Sequence, residues 1–237
     1  DIENPGLFLR DVKDLLADNG ILILEQADLL SIMKLKMFDT ICHEHLEYYS
    51  HKVISNLIEI NGMKIFDMKF NDINGGSTQY YICKKKYNKF KINSNKITKV
   101  FKNESKYKLN SEKTFKLFFK EINLVKIKLL KYLKKLKKEN KVIHGYGAST
   151  KGNVLLQYFG INKNFVDYIS DRNPNKDGMF TPSTKIKIIS EIKSRQLKPD
   201  YYLVLPWHFK KEILRREKNI RKKGTKFIFP LPKIEVC

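Results

Sequence analysis

Helical and strand-like spacings of apolar residues alternate along most of the chain. Residues 6–18 place leucine and valine three or four positions apart, as in an amphipathic helix. Asn19-Gly20 is a helix stop, and the aliphatic residues 21–25 predict a short buried strand. A helix, a stop and an aliphatic strand in this order are typical of half a βαβ unit in a parallel sheet.

The rest of the first half contains shorter predicted elements. We predict helices over residues 27–36 and 52–60, and strands over residues 63–70 and 78–83. Residues 84–108 are rich in lysine and asparagine, and we interpret them as a connector with some strand.

The second half begins with one long amphipathic helix over residues 111–140, because apolar side chains form a stripe along it. The alternation of strand and helix then returns. Strands are predicted over residues 142–144, 165–169, 186–189, 201–205 and 227–229, with helices over residues 150–159 and 209–216. This pattern predicts an α/β fold whose second half is doubly wound.

The charge of the chain invites a nucleic-acid interpretation. Among its 237 residues are 47 basic and 25 acidic ones, which gives a net charge of +22. Only six of the basic residues are arginine, the side chain whose planar fork grips phosphate and reads bases. We therefore interpret the lysine excess as a coding bias and do not expect nucleic acid as a partner.

Composition narrows the class of protein further. Hydrophobic residues make up 42% of the chain, which is too many for a disordered protein, and no apolar run is long enough to span a membrane. Cys42, Cys83 and Cys237 form no CxxC pair, so the sequence predicts neither a zinc ribbon nor a disulfide framework. We expect a cytoplasmic protein with no membrane partner; the oligomeric state is not predicted.

Candidate chemistry is densest at His43-Glu44-His45. Histidine is the natural general base at neutral pH, and a neighbouring carboxylate can orient it. Plain surface histidines and a metal pair are the alternatives. A metal needs a third ligand, for which His51 is the only close candidate, and the spacing is not that of a helical HExxH motif. We expect no metal in this chain.

A second candidate is the turn at Gly145-Tyr146-Gly147, which lies between a predicted strand and a predicted helix. Such turns present backbone N–H groups and a helix N-terminus to an anion, and Lys151 adds a point charge. A tight turn without a ligand is equally compatible with the pattern. Asp171, at the end of its strand, can hold a sugar hydroxyl or cap a turn with Asn173-Pro174. We interpret Trp207-His208 as a packed corner rather than a catalytic pair.

Several short motifs together resemble one family, the S-adenosylmethionine-dependent sugar C-methyltransferases. In chain order, they are residues 38–46 (FDTICHEHL), 74–77 (NGGS), 146–153 (YGASTKGN), 171–178 (DRNPNKDG), 199–200 (PD), 205–209 (LPWHF) and 227–232 (FIFPLP). They span nearly the whole chain. Asp1 and Cys42 stand where the family usually has histidine and tyrosine.

The resemblance implies a domain organisation. Residues 1–83 would be the later strands of a Rossmann-like methyltransferase domain, residues 84–140 a connector with a long linker helix, and residues 141–237 a second, doubly wound α/β domain. The main S-adenosylmethionine loop is expected outside this chain, so no cofactor-binding residue is assigned here. Zinc is expected only in a missing N-terminal domain.

The resemblance also implies a reaction, in which a proton next to the carbonyl of a nucleotide-linked keto sugar is removed before the carbon is methylated. His45 would be the base, with Glu44 as its support and His43 ranked third. Tyr146, Lys151, Asn153 and Asp171 would bind the substrate. The alternative function is a non-catalytic basic α/β module that binds nucleotide sugars or nucleic acid.

Overall fold

The computed structural model describes residues 2–237, without the side chain of Asn74. Asp1, one of the departures from the family pattern, lies outside the described residues. The chain divides into two compact units. Unit 1 comprises the residues up to Leu35 together with His43–Phe118, and unit 2 comprises Lys36–Cys42 and Phe119–Cys237. The three predicted domains stay predictions.

Unit 1 is built from short helices and three strands. Its elements in chain order are α1 (Pro5–Leu15), β1 (Leu22–Ala27), α2 (Leu29–Leu35), α3 (His51–Ile60), β2 (Met63–Asn71), β3 (Ser77–Lys84) and α4 (Ser94–Ser105). The side chain of Asn4 caps α1 by accepting a hydrogen bond from the Leu7 N–H at 2.9 Å, and Pro5 takes the first helical position. Both are common ways to start a helix.

The sheet of unit 1 has the order β1-β3-β2, and both outer strands run antiparallel to β3. Leu24 is paired with Tyr80, and Ile65 with Ile82. Helices α1, α3 and α4 contribute the buried residues Leu9, Ile58 and Val100 to the hydrophobic core that includes Tyr80 and Ile82.

Helix α4 corrects one prediction. Beyond Lys84, the segment that we interpreted as a connector with some strand has a 12-residue helix at Ser94–Ser105 in place of the strand. The Asn93 side chain caps it, and Val100 lies in the core. The many lysines of this segment make its apolar stripe hard to recognise in the sequence. The helix is stabilised by packing of this stripe on the core of unit 1.

Unit 2 contains the second sheet. Its elements after the long helix α5 (Glu112–Lys138), which crosses the division between the units, are β4 (Ile143–Tyr146), α6 (Thr150–Phe159), β5 (Tyr168–Asp171), β6 (Ile188–Ser190), α7 (Glu191–Gln196), β7 (Tyr201–Val204), α8 (Lys210–Arg216), α9 (Lys218–Lys222), β8 (Lys226–Phe229) and β9 (Glu235–Val236). The predicted bounds of α6 are those observed.

The sheet of unit 2 has six strands in the order β6-β5-β4-β7-β8-β9. The first five are parallel, and β9 pairs with β8 in the antiparallel direction. β9 therefore covers the outer edge of β8, and the sequence analysis did not predict this strand. The order changes direction between β4 and β7, which is where open parallel sheets present their ligand sites. The predicted mixed α/β class is confirmed.

Helix α5 has the predicted stripe. Ile122, Leu129 and Leu133 are fully buried, whereas the nearby Lys131 and Lys134 are exposed. The lysine run of this helix is thus a solvated face. Among the described residues, every helix is too short or too polar to cross a membrane.

A buried histidine lies in the sheet of unit 2. His144 on β4 is 1% exposed, and its Nδ1 lies 2.8 Å from the Ser194 hydroxyl, which also lies 2.8 Å from the Tyr202 hydroxyl. Its Nε2 is buried without a hydrogen-bond partner among the described residues. Burial is the main cause that lowers the pKa of His144 to about 4.

This shift predicts a pH-dependent stability. The unfolded chain takes up a proton near pH 6.5 and folded His144 only near pH 4, so the stability of unit 2 falls as the pH drops through this window. The loss from His144 is about 3 kcal/mol. Urea unfolding followed through Trp207, the single tryptophan, should show a smaller fall in His144→Gln than in the parent. An equal fall in both would contradict the prediction.

Candidate functional site

The His43-Glu44-His45 segment lies in an irregular loop of unit 1, before α3. His43 and Glu44 are exposed and His45 is half-buried, with its ring edge-on to Tyr48 at a centroid distance of 6.4 Å. The backbone of this loop is neither a strand nor a helix. An exposed carboxylate next to a half-buried imidazole can still support a general base, and this role stays a prediction.

His51 does not join that segment as a metal ligand. It is buried at the start of α3, where its Nδ1 lies 2.8 Å from the Tyr80 hydroxyl and its Nε2 lies 3.8 Å from Asp28. Burial is the largest cause of its lowered pKa. Within residues 2–237, no group of three or more His, Cys, Asp and Glu side chains is arranged to hold a metal ion.

A cavity of about 460 Å³ opens in unit 2 at the carboxyl ends of β4, β5 and β7. The turn after β4 forms one wall with Tyr146, Gly147, Ala148 and Ser149. This position is the one at which the order of the strands changes direction. The cavity is the candidate ligand site of unit 2.

Backbone constraints shape the turn. Gly147 has φ of +84°, and a Cβ placed on it would lie 2.9 Å from Cδ of Pro206. Glycine is required at this point both for the left-handed backbone and for the close approach to the residue after β7. The Ser149 hydroxyl then caps α6 by accepting a hydrogen bond from the Gly152 N–H at 3.1 Å. The first turn of α6 thus begins at the wall of the cavity.

Asp171 braces the same turn. Its Oδ2 accepts a hydrogen bond from the Ala148 N–H at 2.6 Å, and its Oδ1 accepts one from the Asn173 N–H at 2.8 Å. Lys176 donates to the Ala148 carbonyl at 2.6 Å. The turn-capping alternative is therefore present in the structure. Carboxylate oxygens can accept further hydrogen bonds, so the role of Asp171 towards a sugar hydroxyl stays a prediction.

Tyr146 belongs to a buried polar network at the floor of the cavity. Its hydroxyl donates to Oε1 of Glu217 at 2.9 Å, and the Arg216 guanidinium lies 5.7 Å above its ring. Glu217 is 2% exposed and also accepts hydrogen bonds from Arg195 and Arg216, each at 3.0 Å. Burial first, and then Glu217, raises the pKa of Tyr146 well above its usual value, so this phenol stays neutral.

Lys151 and Asn153 are half-buried on the first turn of α6, and the residues that line the cavity do not include them. The positive charge of Lys151 instead acts to lower the pKa values of two buried groups of unit 2, Asp39 and His208. The cavity therefore gives no support to the predicted contact of Lys151 and Asn153 with the substrate.

Asp39 and Trp207 form a contact that the sequence analysis missed. Asp39 is 1% exposed, and its Oδ2 accepts a hydrogen bond from the Trp207 indole N–H at 2.8 Å. Its Oδ1 and the neighbouring His208 Nδ1 are buried without partners among residues 2–237. Burial is the main cause that raises the pKa of Asp39 to about 6 and lowers that of His208 to about 4. Trp207 is therefore packed in the interior of unit 2, as predicted for a packed corner, and its indole binds the buried carboxylate of Asp39.

The structure groups the candidate residues by unit. Tyr146 and Asp171 meet at one cavity in unit 2, whereas His43, Glu44 and His45 lie together in unit 1. Glu217 had no recognisable signal, because its sequence neighbours are ordinary helical charges. Asp39 could have been noticed as a carboxylate ahead of the histidines, in a segment with the apolar residues Phe38 and Ile41.

Comparison with known proteins gives a family. Residues 72–232 match the C-methyltransferase C-terminal domain. Over 228 residues the chain is 30% identical to C-methyltransferase NovU of Streptomyces niveus. The match covers 96% of this chain and 54% of NovU, so the chain spans about half the length of that relative. The chain therefore belongs to the C-methyltransferase family whose members carry this C-terminal domain.

Proposed function

We propose that this chain is part of an S-adenosylmethionine-dependent C-methyltransferase that acts on a nucleotide-linked keto sugar. The observation that carries the proposal is the match to the C-methyltransferase C-terminal domain over residues 72–232. The loop with His43, Glu44 and His45, and the cavity at the turn after β4, supply groups suited to the two tasks of proton removal and substrate binding.

The proposed first step is removal of the proton next to the sugar carbonyl. His45 takes this proton on its imidazole, the C–H electron pair moves into the enolate, and Glu44 supports the imidazolium that forms. A base with a pKa near the working pH is efficient in such a step. The half-buried position of His45 against Tyr48 limits the orientations of its ring.

The cofactor would supply the methyl group. Within residues 2–237, the glycines of unit 1 with positive φ are Gly62, Gly75 and Gly76, and they lie before β2 and between β2 and β3. None of these turns leads from a parallel strand into a helix, the arrangement that commonly cradles such cofactors. The described residues of unit 1 therefore do not fit the main cofactor site, and we derive no step through it.

Unit 2 is proposed to bind the nucleotide sugar. The lining of the cavity includes the exposed cation Arg172 and the backbone of the turn that leads into α6, and both suit the negative charge of a diphosphate; the carboxylates of Glu191 and Glu212 also line it. Lys151, Asn153, Tyr146 and Asp171 are its further proposed contacts. The finer interpretation of unit 1 as later Rossmann-like strands, and of unit 2 as a doubly wound domain, belongs to this proposal.

Binding measurements test the proposed substrate site. We expect Arg172→Ala and Lys151→Ala each to weaken binding of a nucleotide-linked keto sugar about tenfold in calorimetry, because each removes a positive charge near the diphosphate. Lys134→Ala, which removes an exposed charge from α5, is the matched control and should leave the dissociation constant unchanged. If Arg172→Ala and Lys151→Ala both bind as tightly as the control, the turn has only a structural role.

A further inference from the structure

The segment that precedes the candidate catalytic loop is fastened to unit 2. Lys36–Cys42, which we name the anchor segment, belongs to unit 2, although the residues on both sides of it in the sequence belong to unit 1. It contains a short 3-10 turn at Phe38–Thr40, whose three residues are buried. Such a segment has an attachment of its own, apart from the elements that flank it.

An aromatic contact forms one half of that attachment. The Phe38 ring stacks on Phe159 of α6 with a centroid distance of 4.9 Å and also lies 5.2 Å from the ring of Tyr158. Packing of this kind gives affinity without fixing one rotation of the segment, because apolar contacts are not directional.

The directional half is the hydrogen bond from the Trp207 indole to Asp39. Trp207 is 5% exposed and follows β7, so the donor is held by the sheet of unit 2. The acceptor is a carboxylate with its other oxygen buried and unpartnered among the described residues. A charged acceptor with fixed geometry is the kind of bond that sets the orientation of a chain.

Stability alone gives no reason for a carboxylate at this position. The groups that face it are the Trp207 indole, the positive charge of Lys151 and its own backbone N–H, and burial still outweighs them, since its pKa is raised. An ionised Asp39 therefore costs stability at neutral pH, which points to another task.

We propose that the Asp39–Trp207 hydrogen bond positions the loop that starts at the end of the anchor segment, so that Asp39 and Trp207 are positioning residues for His45. The inference rests on the proposed function, in which His45 is the base. Glu44 and His45 follow the anchor segment directly in the chain, so a rotation of the segment about Phe38 would displace the imidazole. A displacement of about 1 Å at a reacting group can lower a rate about 100-fold.

The test compares two independent breaks of the bond with one conservative variant in the complete enzyme. Asp39→Leu removes the acceptor, Trp207→Phe removes the donor, and Asp39→Asn keeps an acceptor but loses the charge. We expect the first two to lower kcat for methylation, and the rate of α-proton exchange into deuterium oxide, by about 10- to 100-fold. KM for the nucleotide sugar should stay within about twofold, and Asp39→Asn should retain most of the activity.

A matched control separates positioning from stability. Ser194→Ala removes a fully buried hydroxyl of unit 2 that bridges His144 and Tyr202. It should lower the melting temperature without a change in kcat per folded molecule. If Asp39→Leu and Trp207→Phe likewise lower only the melting temperature, the contact is structural and the inference is wrong.

His45→Asn in the same series distinguishes failure of the positioning role from failure of the proposed base. If His45→Asn is inactive while Trp207→Phe and Asp39→Leu have the kcat of the parent, only the positioning role is overturned. If His45→Asn still exchanges the α-proton, the proposed base is wrong, and the positioning role fails with it.

Discussion

Replacement of His45 by asparagine is expected to abolish both the exchange of the sugar α-proton with solvent deuterium and the methylation that follows. Asparagine keeps much of the size and polarity of histidine but cannot take up a proton near neutral pH. Removal of a general base typically costs about 10²- to 10⁴-fold in rate. Exchange is the sharper readout, because it reports proton removal without methyl transfer.

Substitutions of the two neighbours of His45 in this motif should have smaller effects on the reaction. Glu44→Gln should lower exchange and methylation less severely than His45→Asn, since the amide can still accept a hydrogen bond but no longer stabilises an imidazolium. His43→Asn should have the smallest effect of the three. Glu47→Gln, an exposed carboxylate in the same loop, is the control for a general loss of charge. An exchange rate in His45→Asn equal to that of the parent would place the base elsewhere.

The largest expected effect on stability is at Glu217. This carboxylate is 2% exposed and accepts hydrogen bonds from Tyr146, Arg195 and Arg216, so Glu217→Ala leaves a buried phenol and two guanidinium groups without their shared acceptor. Breaking a fully buried ion pair costs about 3–5 kcal/mol. Water reaches both arginines, whose side chains are 38% and 33% exposed, and so we expect about 2–3 kcal/mol.

The measurement is urea unfolding followed through Trp207, which lies in unit 2. Glu217→Gln should lose about half as much as Glu217→Ala, because it keeps an acceptor and loses only the charge. Glu139→Ala breaks an exposed pair with Lys135 at 3.8 Å and should change the free energy of unfolding by less than about 0.5 kcal/mol. Equal losses in Glu217→Ala and Glu139→Ala would show that the network adds nothing to stability.

The parts of the candidate site that are formed by consecutive residues were predictable from the sequence. The turn after β4 lies where the sequence predicts it, between a strand and a helix, because a turn is a property of a few consecutive residues. The histidine cluster was recognised from the sequence for the same reason, since its three residues are consecutive in the chain.

Longer-range features were not predictable in this way. Trp207 was read as a packed corner, yet its partner Asp39 lies 168 positions away in the sequence. Glu217 is joined to Tyr146 across 71 positions. A carboxylate in a helical run of charges looks like a surface residue until the sheet brings a phenol and two arginines to it, because burial is decided by the whole unit and not by the local sequence.

The sequence by itself determined the mixed α/β class, the bounds of α6 and the stripe of α5. These follow from local backbone preferences and from apolar periodicity, which act over a few turns. Only the tertiary structure decided that Ser94–Ser105 is helical, that β9 covers the edge of β8, and that the anchor segment is attached to Trp207. Each of these depends on a surface formed by distant parts of the chain, and such a surface exists only after folding.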